Sequence, residues 1–224
     1  MSHWPRLPAA TLETLSRFST TTLSDALDRF NVKGAVHGLK PLVPGKAIIG
    51  QAVTLLYLPV GITGATAGDF LHLVEPGDVI VIDNRARTDC TVWGGILSEA
   101  AKKQGVAGTV IDGATRDSSV TAGEDYPMWC RATHMLTGKD RVMLQAVNVP
   151  VTLGHVRVEA GDVIAADDDG VVSIPLRLVD DIIKAAEHID RVETQIVEDI
   201  RSGMNLLEAR EKNKYFDLQK STPS

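Results

Sequence analysis

The chain has 224 residues, of which 44% are hydrophobic, 23% charged and only 4% aromatic, with a formal net charge of -6 at pH 7. This is the composition of a globular protein whose core rests on Val, Ile, Leu and Ala, with enough chain for one domain or at most two small ones. The acidic balance excludes a general nucleic-acid binder, because neutralising phosphates takes clustered Lys and Arg, and Lys102-Lys103 and Lys212/Lys214 are too small to form such a patch. No apolar run approaches the ~20 residues of a membrane helix, and the N-terminus lacks the apolar core of a secretory leader. Cys90 and Cys130 show no CxxC spacing, so reduced thiols and a cytoplasmic protein are expected.

Residues 9–18 and 22–30 read as short helices, the second with Thr and Ser caps and Leu23, Ala26, Leu27 and Phe30 on one face. Residues 31–46 are rich in Gly and Pro and read as a turn-dense connection. Strands are predicted over 46–59, broken at Gly50, and over 78–83. A helix follows over 93–105, opened by Gly94-Gly95 and closed by Gly105, with Leu97, Ala100 and Ala101 sharing a face. Further strands are predicted over 108–113, 128–133, 141–146, 149–153 and 155–159, then a strand, acidic turn and strand over 162–175. A long helix over 177–202, a break at Gly203 and a short helix near 205–212 complete the chain. The segments 76–86 and 160–170 share G-D-V-I-x-x-D, which reads as a recurring hairpin entry. This order of elements predicts a mixed α/β fold, sheets covered by helices.

Two local features carry chemistry. Gly94-Gly95 lets the start of a helix approach a ligand closely, and its free N–H groups suit a carboxylate or phosphate. Arg116-Asp117 follows the next strand and can lie on the same sheet edge. There Arg116 offers a two-donor fork for a carboxylate, and Asp117 offers a hard oxygen for Mg²⁺ or Mn²⁺. Read locally, each also has a plainer account: tight strand-to-helix packing for the glycines, a surface ion pair for Arg116-Asp117. Asp167-Asp168-Asp169-Gly170 reads as an acidic turn, His72, His134 and His155 as isolated imidazoles, and Cys90 as a small buried residue. The stripe Val179, Ile182, Ile183, Ala186, Ile189 and Ile196 reads as a packing face.

The stretch "WGGILSEAAKKQGVAGTVIDGATRD" resembles the signature of the RraA-like family, which includes class II 4-hydroxy-4-methyl-2-oxoglutarate / 4-carboxy-4-hydroxy-2-oxoadipate aldolases. "TTTLSDAL", "GLKPLVPG", "GQAVTL", "PGDVIVID", "VNVPVTLGHVRVEAGDVIAADDDGVVSIP" and "GMNLLEAR" extend the likeness over about residues 20–212. The resemblance implies a single domain over 1–224, an α-β-β-α sandwich of the swivelling type with its core at about 20–175 and C-terminal helices at about 177–212. It implies a homotrimer or homohexamer with sites at subunit interfaces. It also implies that backbone amides of Gly94, Gly95, Ile96 and Leu97 bind a pyruvyl group, that Arg116 binds substrate and that Asp117 ligates a divalent cation. The implied chemistry is metal-dependent retro-aldol cleavage of a 4-hydroxy-2-oxo acid to pyruvate, or oxaloacetate decarboxylation, both passing through an enolate. The alternatives are a protein-binding regulator, since the family takes its name from ribonuclease inhibitors, or a different metal-dependent reaction on a related acid.

The sequence departs from the aldolase pattern at two positions. Val120 stands where active aldolases carry an acidic residue three positions after the Asp, and Gly95 stands where many relatives have Asp. A general acid/base must then come from elsewhere. Glu124, Asp125, Asp83, Asp89 and an acidic group of a neighbouring subunit are the candidates.

Overall fold

The structure, a computed structural model, describes residues 4–61 and 68–218; residues 1–3, 62–67 and 219–224 of the domain expected over 1–224 lie outside the described residues. Helices α1 (Ala9–Leu15) and α2 (Thr20–Asp28) come first, and the Ser19 hydroxyl caps α2 by accepting the Thr22 N–H at 3.2 Å. The connection read over 31–46 contains two short strands, β1 (Ala35–Val36) and β2 (Lys40–Pro41). Then come β3 (Ile48–Pro59), β4 (Val79–Thr91), α3 (Gly95–Gln104), β5 (Gly108–Thr115), α4 (Ser118–Gly123) and β6 (Met128–Thr133). The strands β7 (Val142–Val147), β8 (Val151–Leu153), β9 (Val156–Val158), β10 (Val163–Ala166) and β11 (Val171–Ile174) precede the long α5 (Val179–Arg201) and the short α6 (Leu206–Lys212).

Nine strands form one mixed sheet in the order β1-β11-β10-β3-β4-β5-β6-β2, with β7 also paired to β3, while β8 and β9 form a separate hairpin. The centre, β3-β4-β5-β6, is parallel, and α3 and α4 are its crossovers. The wing β10-β11-β1 is antiparallel. Alternate residues of each strand separate three buried clusters. Ile80, Ile82, Ile111 and Met128 face α3 with Trp93 and Ala101. Val79, Val81, Val110 and Trp129 face the β8–β9 hairpin and the wing residues Ile164 and Val171. Val163, Ala165, Val172 and Ile174 face α2 and α5, where Leu23, Leu27, Ile182, Ala186 and Ile189 complete the core. Four layers enclosing three apolar seams make the α-β-β-α arrangement that the family resemblance implies, and of the α5 residues read as a packing face all but the half-buried Ile183 are buried, together with Ala185 and Asp199. Because both faces of the central strands are covered, they read as continuous apolar runs and not as alternating ones.

The structure corrects four local readings. Strand β3 runs unbroken through Gly50. The glycine is needed there because a Cβ would press on the Gly77 carbonyl oxygen of the neighbouring turn. Strand β4 continues eight residues past Asp83, although its polar sequence N-R-A-R-T-D reads as loop. Helix α4 was not expected: it is six residues long and buries only Thr121, so it shows no apolar period. The repeated G-D-V-I is a shared turn, not a shared hairpin. In both Glu75–Asp78 and Glu159–Asp162 the Asp carboxylate accepts the Glu N–H at 2.9 Å, and Gly77 and Gly161 take φ of +86° and +91°. The second turn follows β9, but the first follows a 3-10 turn at Leu71–Leu73. Among the described residues no helix is long and apolar enough to cross a membrane.

Substituting Gly50→Ala is expected to lower stability by about 1–3 kcal/mol through overpacking alone, since its backbone is ordinary extended chain. A thermal melt checks this: a drop of several degrees is expected, and an unchanged melting temperature contradicts the steric account.

Candidate active site

The C-terminal ends of β4 and β5 and the start of α3 border a cavity of about 230 Å³. Its walls include Gly94, Gly95, Ile96, Leu97, Arg116 and Asp117, so all six residues singled out in the sequence meet at one place. The remainder of the wall comes from Tyr57 on β3, Thr91–Trp93, Thr137–Lys139 and Val142 on β7. Thr91–Trp93 directly precede Gly94, but Tyr57, Thr137–Lys139 and Val142 were not legible locally, because they lie twenty or more residues from either motif and converge only through the sheet order.

Helix α3 starts at an extended Gly94 with no side-chain cap. Its first donors are met unequally. The Gly95 N–H donates to Asp117 Oδ2 at 3.1 Å, whereas the Ile96 and Leu97 N–H groups have no partner among the described residues. The Gly94 N–H likewise has no partner among the described residues, so of the four amides implied by the resemblance only that of Gly95 is engaged, and the others lie open at the positive end of a ten-residue helix. Both glycines are closely crowded by side chains, which a Cβ would oblige to shift. A Cβ on Gly94 would lie 2.8 Å from Asp117 Oδ2, and one on Gly95 would lie 2.9 Å from Val120 Cγ1. The departure at 95 and the departure at 120 are therefore one feature: the Val120 side chain fills the space that any side chain at 95 needs.

Asp117 adopts left-handed backbone (φ 54°, ψ 40°) at the start of α4, a conformation Asp tolerates better than most residues. The Arg116 N–H donates to the Trp93 carbonyl at 3.0 Å, which ties the end of β5 to the entry of α3. Below this point a buried relay joins the two helices. Trp93 Nε1 donates to Ser98 Oγ at 2.9 Å, and Ser98 Oγ lies 2.9 Å from Thr121 Oγ1. Trp93 also stacks on Tyr126, with ring centroids 6.1 Å apart. Arg116 Nε is 3.7 Å from Asp117 Oδ2, and both side chains are over 40% exposed, so the pair contributes at most about 1 kcal/mol and leaves the guanidinium's outer nitrogens available.

Among the described residues no three His, Cys, Asp or Glu side chains gather to hold a metal. The donor set nonetheless fits Mg²⁺ or Mn²⁺. Asp117 Oδ1 accepts no hydrogen bond among the described residues, and Mg²⁺ keeps most of its waters and takes one or two carboxylates. The expected acid/base residues stand elsewhere. Asp83 is buried and accepts the Arg85 and Thr152 N–H groups at 2.8 and 3.0 Å. Asp89 is held at about 2 by its bond to Arg87. Glu124 pairs with Lys102 at 3.2 Å, and Asp125 pairs with Lys46. None of the four lines the cavity. Cys90 is buried, and burial raises its thiol pKa, in keeping with a packing role.

A fold of this order with an uncapped glycine helix start facing an Arg-Asp pair defines a class, and comparison with known proteins names it. The family model described as RraA-like, Aldolase/RraA, matches residues 20–173. The chain belongs to this family. It is 34% identical over 176 residues to a protein of Halalkalibacterium halodurans named as a candidate 4-hydroxy-4-methyl-2-oxoglutarate aldolase, covering 75% of this chain and 78% of that one. It is 36% identical over 203 residues to protein DlpA of Legionella pneumophila, covering 89% of this chain but spanning only 33% of DlpA. Among solved structures, an uncharacterized protein of Pseudomonas syringae superposes with a TM-score of 0.86 at 34% identity, over 92% of this chain and all of that one. RraAS2 of Streptomyces coelicolor, described as an unusual member of the RNase ES inhibitor RraA family, superposes with a TM-score of 0.77 at 29% identity, over 90% of this chain and all of RraAS2.

Gly95→Ala is expected to destabilise the fold, and Val120→Ala made in the same chain is expected to restore part of the loss. A double-mutant cycle read by denaturant unfolding should give a coupling of about 0.5–3 kcal/mol. Strict additivity would mean that the two positions do not share space.

Proposed function

We propose that the chain is a divalent-metal-dependent lyase acting on a small 2-oxo acid, releasing pyruvate by retro-aldol cleavage of a 4-hydroxy-2-oxo acid, by decarboxylation of oxaloacetate, or both. The observation that carries this reading is the convergence of the free Ile96 and Leu97 amides, Arg116 and Asp117 on one cavity. The amides and the Arg116 fork bind the carboxylate of the oxo acid from two sides. Asp117, fixed through Oδ2 by the Gly95 N–H, would hold the cation through its other oxygen. When bound, Mg²⁺ or Mn²⁺ supplies Lewis-acid stabilisation of the C2 oxygen as negative charge develops there. Trp93, Tyr57 and Val142 keep that end of the cavity apolar, which strengthens each charged contact within it. Tyr57 stays neutral, because burial pushes its hydroxyl pKa up. We also propose the trimeric or hexameric assembly that the family resemblance implies.

A second reading, a protein-binding regulator, is favoured by Ile96 and Val120, which are 87% and 50% exposed beside the cavity. Arg116 and Asp117 lining the same cavity as the open helix start are what a docking face does not need, so the lyase reading is preferred.

Pyruvate release from oxaloacetate and from 4-hydroxy-4-methyl-2-oxoglutarate, with Mg²⁺ or Mn²⁺, tests the proposal against a metal-only background. Release is expected to fall to background with EDTA or in Asp117→Ala, and Arg116→Ala is expected to lower kcat/KM by about 10²–10³. No release from either acid by folded, metal-supplied protein would overturn the lyase reading.

A further inference from the structure

The cavity poses a question of proton supply that the lyase reading leaves open. Either cleavage leaves an electron pair in the enolate of pyruvate, and C3 must then receive a proton. The lining contains four titratable or cationic side chains: Tyr57, Arg116, Asp117 and Lys139. Arg116 does not give up its proton in a protein, and burial makes Tyr57 a poorer acid. Asp117 is already given to the cation in the role proposed for it. Asp83, Asp89, Glu124 and Asp125 are engaged by other partners outside the lining. Lys139 remains. Its side chain has no ion-pair or hydrogen-bond partner among the described residues.

The backbone that carries Lys139 is fixed. Thr137 bridges to Thr91 on β4, and Thr91 donates its N–H to the Leu136 carbonyl at 3.0 Å. Gly138 lies so close to the Thr91 carbonyl that a Cβ there would overlap it. Arg141 Nη1 donates to the Thr137 and Lys139 carbonyls, both at 3.2 Å, and the Lys139 N–H donates to Thr137 Oγ1 at 3.3 Å. A flexible cationic side chain on a pinned turn, at the rim of a site otherwise short of acids, is placed to deliver a proton.

We propose that Lys139 is the proton donor to C3 of the pyruvate enolate, a role that rests on the lyase reading. The C3–C4 bond breaks and its electrons form the C2–C3 enolate; C4 leaves as CO₂ from oxaloacetate, or as a carbonyl compound from a 4-hydroxy-2-oxo acid, whose C4 hydroxyl proton passes to water. The Lys139 ammonium then transfers H⁺ to C3, giving the methyl group of pyruvate, and the exposed amine regains its proton from water. No further reactant is needed. In the reverse direction the neutral amine removes a methyl proton, so the same residue governs exchange of pyruvate's methyl hydrogens.

The test is hydrogen–deuterium exchange at the methyl group of pyruvate in D₂O with Mg²⁺, followed by NMR, alongside pyruvate release from oxaloacetate. Wild type, Lys139→Ala and Lys139→Arg are compared, the alanine variant also with added ethylammonium. Lys139→Ala is expected to slow exchange by about 10²-fold or more, and ethylammonium to restore part of it. Lys139→Arg keeps the charge but cannot transfer the proton, so it is expected to remain slow. Wild-type rates in Lys139→Arg would reduce the residue to a charge contact, and wild-type rates in Lys139→Ala would place the donor elsewhere, on a neighbouring subunit among other sources. Either result overturns the proposal while the lyase reading stands. Absence of both exchange and release in the wild type overturns both.

Discussion

The site depends on one hydrogen bond, from the Gly95 N–H to Asp117 Oδ2. It joins the starts of two helices that follow successive parallel strands, and a Cβ on Gly94 would crowd the oxygen that accepts it. The bond occupies one oxygen of Asp117 and one amide of α3, and leaves the other oxygen and the next two amides open. Thus the same contact that orients Asp117 decides which groups are left for a ligand. The Trp93–Ser98–Thr121 relay holds the two helices at this spacing from beneath, with all three side chains buried.

Much of this was legible in the chain because the signals are local. Val- and Ile-rich runs mark the central strands, and Gly94-Gly95 and Gly105 punctuate α3 at both ends, Gly105 taking the left-handed conformation that a helix stop uses. The Arg116-Asp117 pair stands out because charges rarely follow a fully buried strand directly. What escaped reading was set by tertiary context. The polar tail of β4 stays in the sheet through two irregular steps against β5, with Arg85 and Ala86 both left-handed, and polar residues in such a path have no periodic signature. Lys139 sits in T-G-K-D, which reads as an ordinary turn, and only the pairing of β7 with β3 and of Thr137 with Thr91 brings it to the cavity.

The two departures from the aldolase pattern acquire a common physical meaning in the structure. An acidic side chain at 95 and a branched apolar one at 120 compete for the same volume, so each choice constrains the other. This chain carries the combination with a carboxylate at neither position. On the proposed lyase reading, a cation at Asp117 would rest mainly on water and on this one residue, which suits weak, exchangeable metal binding over a permanent centre.

The twin Glu-x-Gly-Asp turns lead into β4 and β10, the two strands that flank β3 on its opposite edges. Gln51 meets Val163 while its neighbour Ala52 meets Val79. During synthesis, then, one edge of β3 is covered early by β4, and the other stays open until β7 and β10 have emerged much later. Such an edge is a template for unwanted strand addition. The antiparallel wing, which arrives last and is sealed by α5, is therefore the part of the molecule that ends its exposure to aggregation.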